Sequence, residues 1–194
     1  MLHGFAVLPR TVLAAALLFC GVALPVASPA ASVEEQRADA QKMARDTLDR
    51  LYKVQPSARK AVANAAGYAV FTAFGTKVLV AGGGSGSGIA YNNRTKQYVY
   101  MKMVEAQAGL GFGVKKFRLV WVFENVSDLD KFTSSGYEVG AQASAAARTG
   151  QEGGSYSGAL SIRPGVWLYQ LTDAGLALEL TATGTKYYRD GKLN

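Results

Sequence analysis

Lys115, Lys116, Phe117 and Arg118 stand in a row, and Tyr98, Tyr100 and Lys102 recur at every second position shortly before them. In an extended strand a spacing of two puts side chains on one face, so Tyr98, Tyr100 and Lys102 form an aromatic-plus-cation surface. Cations close to an anionic surface contribute about 1 kcal/mol each, fading over a Debye length of about 8–10 Å. Tyrosine adds a ring with an apolar body and a polar tip. The chemistry these seven residues suit is recognition of anionic head groups or acyl chains. A plainer reading of the same residues, a solvated turn and an ordinary half-buried strand, stays open.

Other chemistry is missing by composition. The single histidine is His3 and the single cysteine Cys20, both in the first stretch of the chain. If that stretch is removed, no Ser-His-Asp triad, cysteine nucleophile or ordinary zinc site can be assembled. The run Gly82-Gly83-Gly84-Ser85-Gly86-Ser87-Gly88 invites a nucleotide reading. It lacks the Gly-Lys-Ser/Thr ending of a P-loop, and Ile89 holds the third glycine's place in a dinucleotide fingerprint counted from Gly84. The glycines therefore read as structural, allowing close backbone approach or positive φ, with a phosphate-binding nest as the alternative. Glu105, Glu124, Glu138 and Glu179 fall in expected strands, where carboxylates are more often hydrogen-bonded or solvent-facing than catalytic. The expectation is a protein that is not an enzyme and needs no cofactor and no metal.

The N-terminus carries the order of an export signal: Arg10 and the α-amine, an apolar run over 11–24, Pro25, then Ala27-Ser28-Pro29-Ala30-Ala31. The run is about 14 residues, short of the roughly 20 a spanning helix requires. Residues 1–30 are therefore expected to be a signal peptide cleaved after Ala30 or Ala31. Leu17-Leu18-Phe19-Cys20 loosely resembles a lipoprotein signal, but Phe19 is bulky where a small residue is wanted. Acylation of Cys20 is thus the lesser alternative to a periplasmic or outer-membrane-associated protein. The excess of 21 basic over 14 acidic residues drops by only one when Arg10 leaves. It favours anionic partners, though not nucleic acid, from which export separates the chain.

The elements that must position these residues follow from period and punctuation. Ser32-Val33-Glu34-Glu35 is a capping box. It opens an amphipathic helix in which Ala40, Met43, Ala44, Thr47, Leu48 and Leu51 share one face. Asp46 with Arg50 and Asp49 with Lys53 are spaced to pair on the other face. Ser57 is placed to cap a shorter helix through Ala65. From Tyr68 the period becomes two, with strands expected over 68–74, 77–82, 87–91, 97–105, 117–124, 137–145, 165–171 and 176–181. A third helix is expected over 128–133 behind Ser127, and 150–154 reads as a loop. Phe117, Leu119, Trp121 and Phe123 point one way while Val120 and Val122 point the other, which marks a strand covered on both faces. The fold class expected is α+β, a mostly antiparallel sheet or partly closed β-barrel. It carries the N-terminal amphipathic helix over 31–56 and flanking short helices, with the β-rich domain over 57–194.

Several motifs in order resemble the SYLF domain family. Ala-Asn-Ala-Ala-Gly-Tyr-Ala-Val-Phe (63–71) is similar to its entry motif, and the glycine run 82–88 to its glycine-rich segment. Gly109-Leu110-Gly111-Phe112-Gly113 is similar to its glycine–aromatic motif. Gly175-Leu176-Ala177-Leu178-Glu179-Leu180 with Gly184-Thr185-Lys186-Tyr187-Tyr188 is similar to its C-terminal signature. The resemblance, from about residue 40 to the end, implies binding rather than catalysis. Eukaryotic members bind phosphoinositide membranes, partly through an N-terminal amphipathic helix. Some yeast members bind actin, and bacterial members are exported or envelope-attached. This chain has no SH3 or FYVE companion, and an exported protein meets actin only if delivered to a host. The resulting expectation is a non-enzymatic envelope domain binding anionic phospholipid. Its alternative is an envelope structural or protein-interaction module, whose partner is an envelope protein.

Overall fold

The first four N–H groups of a helix have no partner within it, and Ser32 and Glu35 resolve that at the start of α1 (Val33–Val54). The Ser32 hydroxyl accepts from the Glu35 amide at 3.1 Å, and the Glu35 carboxylate accepts from the Ser32 amide at 2.7 Å. The computed structural model describes residues 31–78, 81–108, 113–134, 136–140, 156–177 and 184–194. α2 (Ser57–Asn64) follows, but Ser57 is not its cap. Pro56 occupies that position without a side-chain bond, and the Ser57 hydroxyl accepts from the Gln55 amide nitrogen at 2.7 Å instead.

The strands are β1 (Gly67–Val78), β2 (Ala81–Asn92), β3 (Tyr98–Ala108) and β4 (Gly113–Phe123). After α3 (Val126–Ser134) come β5 (Tyr137–Gly140), β6 (Leu160–Arg163), β7 (Val166–Thr172), β8 (Gly175–Ala177) and β9 (Gly184–Arg189). They form one sheet in the order β5-β9-β3-β2-β1-β4-β7-β6, with β8 beside β6 on the far edge of β7. Every described pairing is antiparallel.

The sheet curls into a half-barrel. Trp121 on β4 and Tyr187 on β9 are four strand steps apart, about 19 Å on a flat sheet. Their ring centroids lie 5.3 Å apart. The two edge strands also approach, since the Arg163 guanidinium of β6 sits 5.4 Å from the Tyr137 ring centroid of β5. Asp128 of α3 holds the same guanidinium at 2.7 Å.

The concave face is filled by Phe71, Met101, Met103, Trp121, Phe123, Leu168 and Tyr187, with Leu129 and Phe132 of α3 as the plug. The convex face packs Val70, Ile89, Tyr100, Val120 and Tyr169 against Ala44, Leu48 and Leu51 of α1 and Ala58 and Val62 of α2. β4 is therefore covered on both sides, as its alternation requires. Among the described residues no helix is long and apolar enough to cross a membrane.

Several local expectations are corrected. The segments 68–74 and 77–82 are not two strands. β1 runs unbroken to Val78, and the glycine run belongs to β2, paired with β1 and β3 along its length. The physical reason is the curl. Gly86 and Gly88 lie on the concave face, where a Cβ at Gly86 would meet the Thr72 carbonyl and the Met103 side chain. A Cβ at Gly88 would meet the Val70 carbonyl and the Phe71 ring. Without those Cβ atoms Phe71 reaches Tyr187 across β2 and β3, ring centroids 4.9 Å apart. None of the described glycines of the run has positive φ, so they do not form the alternating-hand backbone of a nest.

β6 and β9 were not anticipated. The expected strands 137–145 and 176–181 are described only as far as Gly140 and Ala177, and 150–154 lies outside the described residues. Asp46 pairs with Lys42 at 2.7 Å. Arg50 instead donates to the Thr172 carbonyl at 2.7 Å, because α1 docks across the end of β7.

Candidate functional site

α1 covers only a strip of the convex face. The strip is the cross-strand row Val120–Val70–Ile89–Tyr100, set by the registers of β4, β1, β2 and β3. Two residues further along each strand lies the row Arg118–Thr72–Ser87–Lys102–Tyr188, and beyond it Lys116–Phe74–Ser85–Val104–Lys186. No described helix covers the outermost row. Phe74 is 45% exposed and Val104 43%. Between them the small side chains of Ser85 and Ser87 leave a trough along β2. The resulting depression of about 660 Å³ is lined by Thr72, Phe74, Ser85, Ser87, Lys102, Val104, Lys116 and Tyr188, among others.

The electrostatics of this face are predominantly positive. Lys186 is held by Glu138 at 3.1 Å and Lys102 by Asp190 at 3.1 Å. Burial pushes the Asp190 carboxyl up, but the Lys192 amide at 2.9 Å and the Lys102 ammonium outweigh it, leaving the group below the usual carboxylate range. Among the described residues Lys116 and Arg118 form no ion pair. Arg118 lies close enough to α1 to help Lys42 lower the Asp46 carboxyl.

The seven residues singled out from the sequence divide by this geometry. Lys116, Arg118 and Lys102 share the uncovered face. The backbone of Lys115 pairs with Gly75, and its side chain lies outside the described residues. Phe117 points the other way, 9% exposed in the concave core, so it cannot join Lys116 and Arg118 on a ligand without leaving that core.

Tyr100 does share a face with Lys102, but it is buried under α1. Its hydroxyl accepts from the Gln41 amide nitrogen at 2.7 Å, and Arg37 stands 5.8 Å from its ring centroid. Tyr98 lies on the other side of the helix-covered strip. There it lies in a row of tilted rings with Tyr91 and Tyr68, centroids 4.7 Å and 5.3 Å apart. Burial and the neighbouring tyrosines push the Tyr68 hydroxyl well above its ordinary range. Phe74, Val104, Ser85, Ser87 and Lys186 were missed. The one signal for the serines was their alternation with glycine, legible only once that run is known to be a strand.

The expected carboxylates scatter in role. Glu105 is buried on the concave side of β3, and Glu138 serves Lys186 on the outside. Glu124 accepts from the Trp167 indole at 3.1 Å. Glu179 lies outside the described residues.

No family model matches the chain. Over 164 residues, 84% of its length, it is 32% identical to beta cell expansion factor A of Aeromonas veronii. It spans 60% of that protein's length. The two are distant homologues.

Proposed function

We propose that this chain is a non-enzymatic, exported domain of the bacterial cell envelope that binds anionic membrane lipid through the uncovered convex face of its sheet. The observation that carries the reading is the placement of Lys116 and Arg118. They share a face with Lys102 and Lys186, Lys116 in the outermost row beside exposed apolar side chains and Arg118 at the margin of α1. A basic surface with apolar side chains at its centre suits the boundary between head groups and acyl chains. The net charge of residues 31–194, +6 from 20 basic and 14 acidic residues, acts in the same direction at longer range.

The resemblance to SYLF domains supports membrane binding, by analogy alone. The name of the Aeromonas relative speaks of beta cell expansion and specifies no ligand. Within this reading α1 is first a structural element. Its apolar face is spent on Val70, Ile89 and Val120, so membrane contact falls to the sheet. Actin binding has no support beyond the resemblance.

Flotation with phosphatidylglycerol-rich vesicles against neutral vesicles, at low and high salt, is the test. Binding that is confined to anionic vesicles and weakened by salt is the expected result. Equal flotation of the wild type and a Lys115→Glu, Lys116→Glu, Arg118→Glu variant would end the reading. The envelope interaction module, acting through a sheet edge, would then lead.

A further inference from the structure

We infer that the trough along β2 is a site for one anionic amphiphile, seated lengthwise with its acyl chain between Phe74 and Val104. The proposal rests on the lipid-binding reading and goes beyond it, from attraction to a charged bilayer to the holding of a single lipid molecule. Three features carry it.

The trough has a built cross-section. Its floor is Ser85 and Ser87, small side chains on alternate positions of β2, and Phe74 and Val104 stand directly opposite Ser85 on the flanking strands. An apolar chain laid on that floor removes water from two side chains that are otherwise nearly half exposed.

Its ends differ in chemistry. Towards α1 the next row supplies the hydroxyls of Thr72 and Ser87, the Lys102 ammonium and, one strand further, Arg118. These are donors for a phosphate or carboxylate oxygen. Asp190 neutralises part of the Lys102 charge, and Arg118, which also faces Asp46 of α1, adds positive charge from beyond the lining. The other row is apolar at its centre, with Lys116 at its flank. An amphiphile in the trough therefore has the Phe74–Val104 pair for its apolar end and the Thr72 and Ser87 hydroxyls beside Lys102 for its anionic end.

The size is right. A depression of about 660 Å³ falls in the range of small-molecule sites, roughly 300–1,000 Å³. It is open along its length, which suits a chain entering from a bilayer better than a compact polar metabolite.

The test uses dodecyl phosphate below its micelle concentration, with dodecyl maltoside and inorganic phosphate as separate arms. Saturable one-to-one binding of dodecyl phosphate, read by native mass spectrometry and calorimetry, is expected, with much weaker binding of the other two. Ser85→Leu fills the floor without touching a buried group. Excluding even two methylenes from the trough should weaken binding about tenfold. Flotation of the wild type with anionic vesicles tests the lipid-binding reading separately from the single-lipid site. Ser87→Ala with Thr72→Val should weaken dodecyl phosphate without changing dodecyl maltoside. Unchanged affinity in Ser85→Leu, or inorganic phosphate binding as tightly as dodecyl phosphate, would overturn the single-lipid site while leaving vesicle binding standing. A wild type that binds neither vesicles nor dodecyl phosphate overturns both.

Discussion

Gly88→Ala isolates the structural claim made for the glycine strand. The added Cβ would meet the Val70 carbonyl and lie 2.6 Å and 2.8 Å from two atoms of the Phe71 ring. Neither can give way easily. The carbonyl belongs to the β1–β2 ladder, and Phe71 is fully buried, with Tyr187 and Phe132 rings 4.9 Å and 6.1 Å from its own. Overpacking of this kind costs about 1–3 kcal/mol. The lost freedom of the unfolded chain returns about 0.4–1 kcal/mol. A net loss of roughly 1.3 kcal/mol lowers the melting temperature of a domain this size by about 3–5 °C. Gly140→Ala is the matched control, because nothing lies within 4 Å of its Cβ position. It should leave the melting temperature unchanged or slightly raised. Thermal unfolding followed by circular dichroism compares the two. A Gly88→Ala protein as stable as the wild type would refute the argument that the curl demands a bare strand. Unchanged stability combined with altered anion binding would revive the phosphate nest.

Reversing Lys116 and Arg118 to Glu should lower anionic-vesicle binding about thirtyfold at low salt, at about 1 kcal/mol lost per cation before repulsion is counted. A deficit that does not shrink at high salt would show that packing, not charge, was lost. Leu51→Ala, at a fully buried contact between α1 and the sheet, should cost about 2–5 kcal/mol in denaturant unfolding. A cost below 1 kcal/mol would mean that α1 is not part of the core. Asp190 has its carboxyl lowered in the folded protein. Its contribution to stability is therefore present above the ordinary carboxylate range, about pH 3.9, and lost as pH falls through the folded value. Asp190→Asn should melt lower than the wild type at pH 7 and converge with it in acid. A gap of constant size across that range would argue against the carboxylate's role.

Much of the helix-forming information lies within a few residues of where it acts, and so it could be read in sequence order. The Ser32–Glu35 box and the stripe of Ala44, Leu48 and Leu51 were legible because capping and helical period are local, and the third helix was legible in place but not in its cap, since Ser127 lies inside α3. The double-sided apolar pattern of β4 also required a covered central strand, and the half-barrel supplies two covers for it. The candidate site was legible only in part. Lys116, Arg118 and Lys102 are neighbours on one face, as strand alternation allows, but alternation cannot say which face a helix will occupy. Tyr100 and Lys102 point the same way, and α1 buries one and leaves the other at its margin.

The chain by itself determined where the first helix begins, which residues alternate, and that residues 31–194 hold neither histidine nor thiol. The tertiary structure alone decided that a run of glycines is a strand, because the need for bare backbone at Gly86 and Gly88 comes from the Thr72 and Val70 carbonyls and the Met103 and Phe71 side chains. Those side chains arrive from other strands. It likewise decided that Phe117 faces inward and that Phe74 and Val104 stand exposed across a serine floor. Each of these is a relation between residues distant in the chain and adjacent only once the sheet has curled. No pattern of local period contains the curvature that brings Trp121 to Tyr187 or Arg163 to Tyr137.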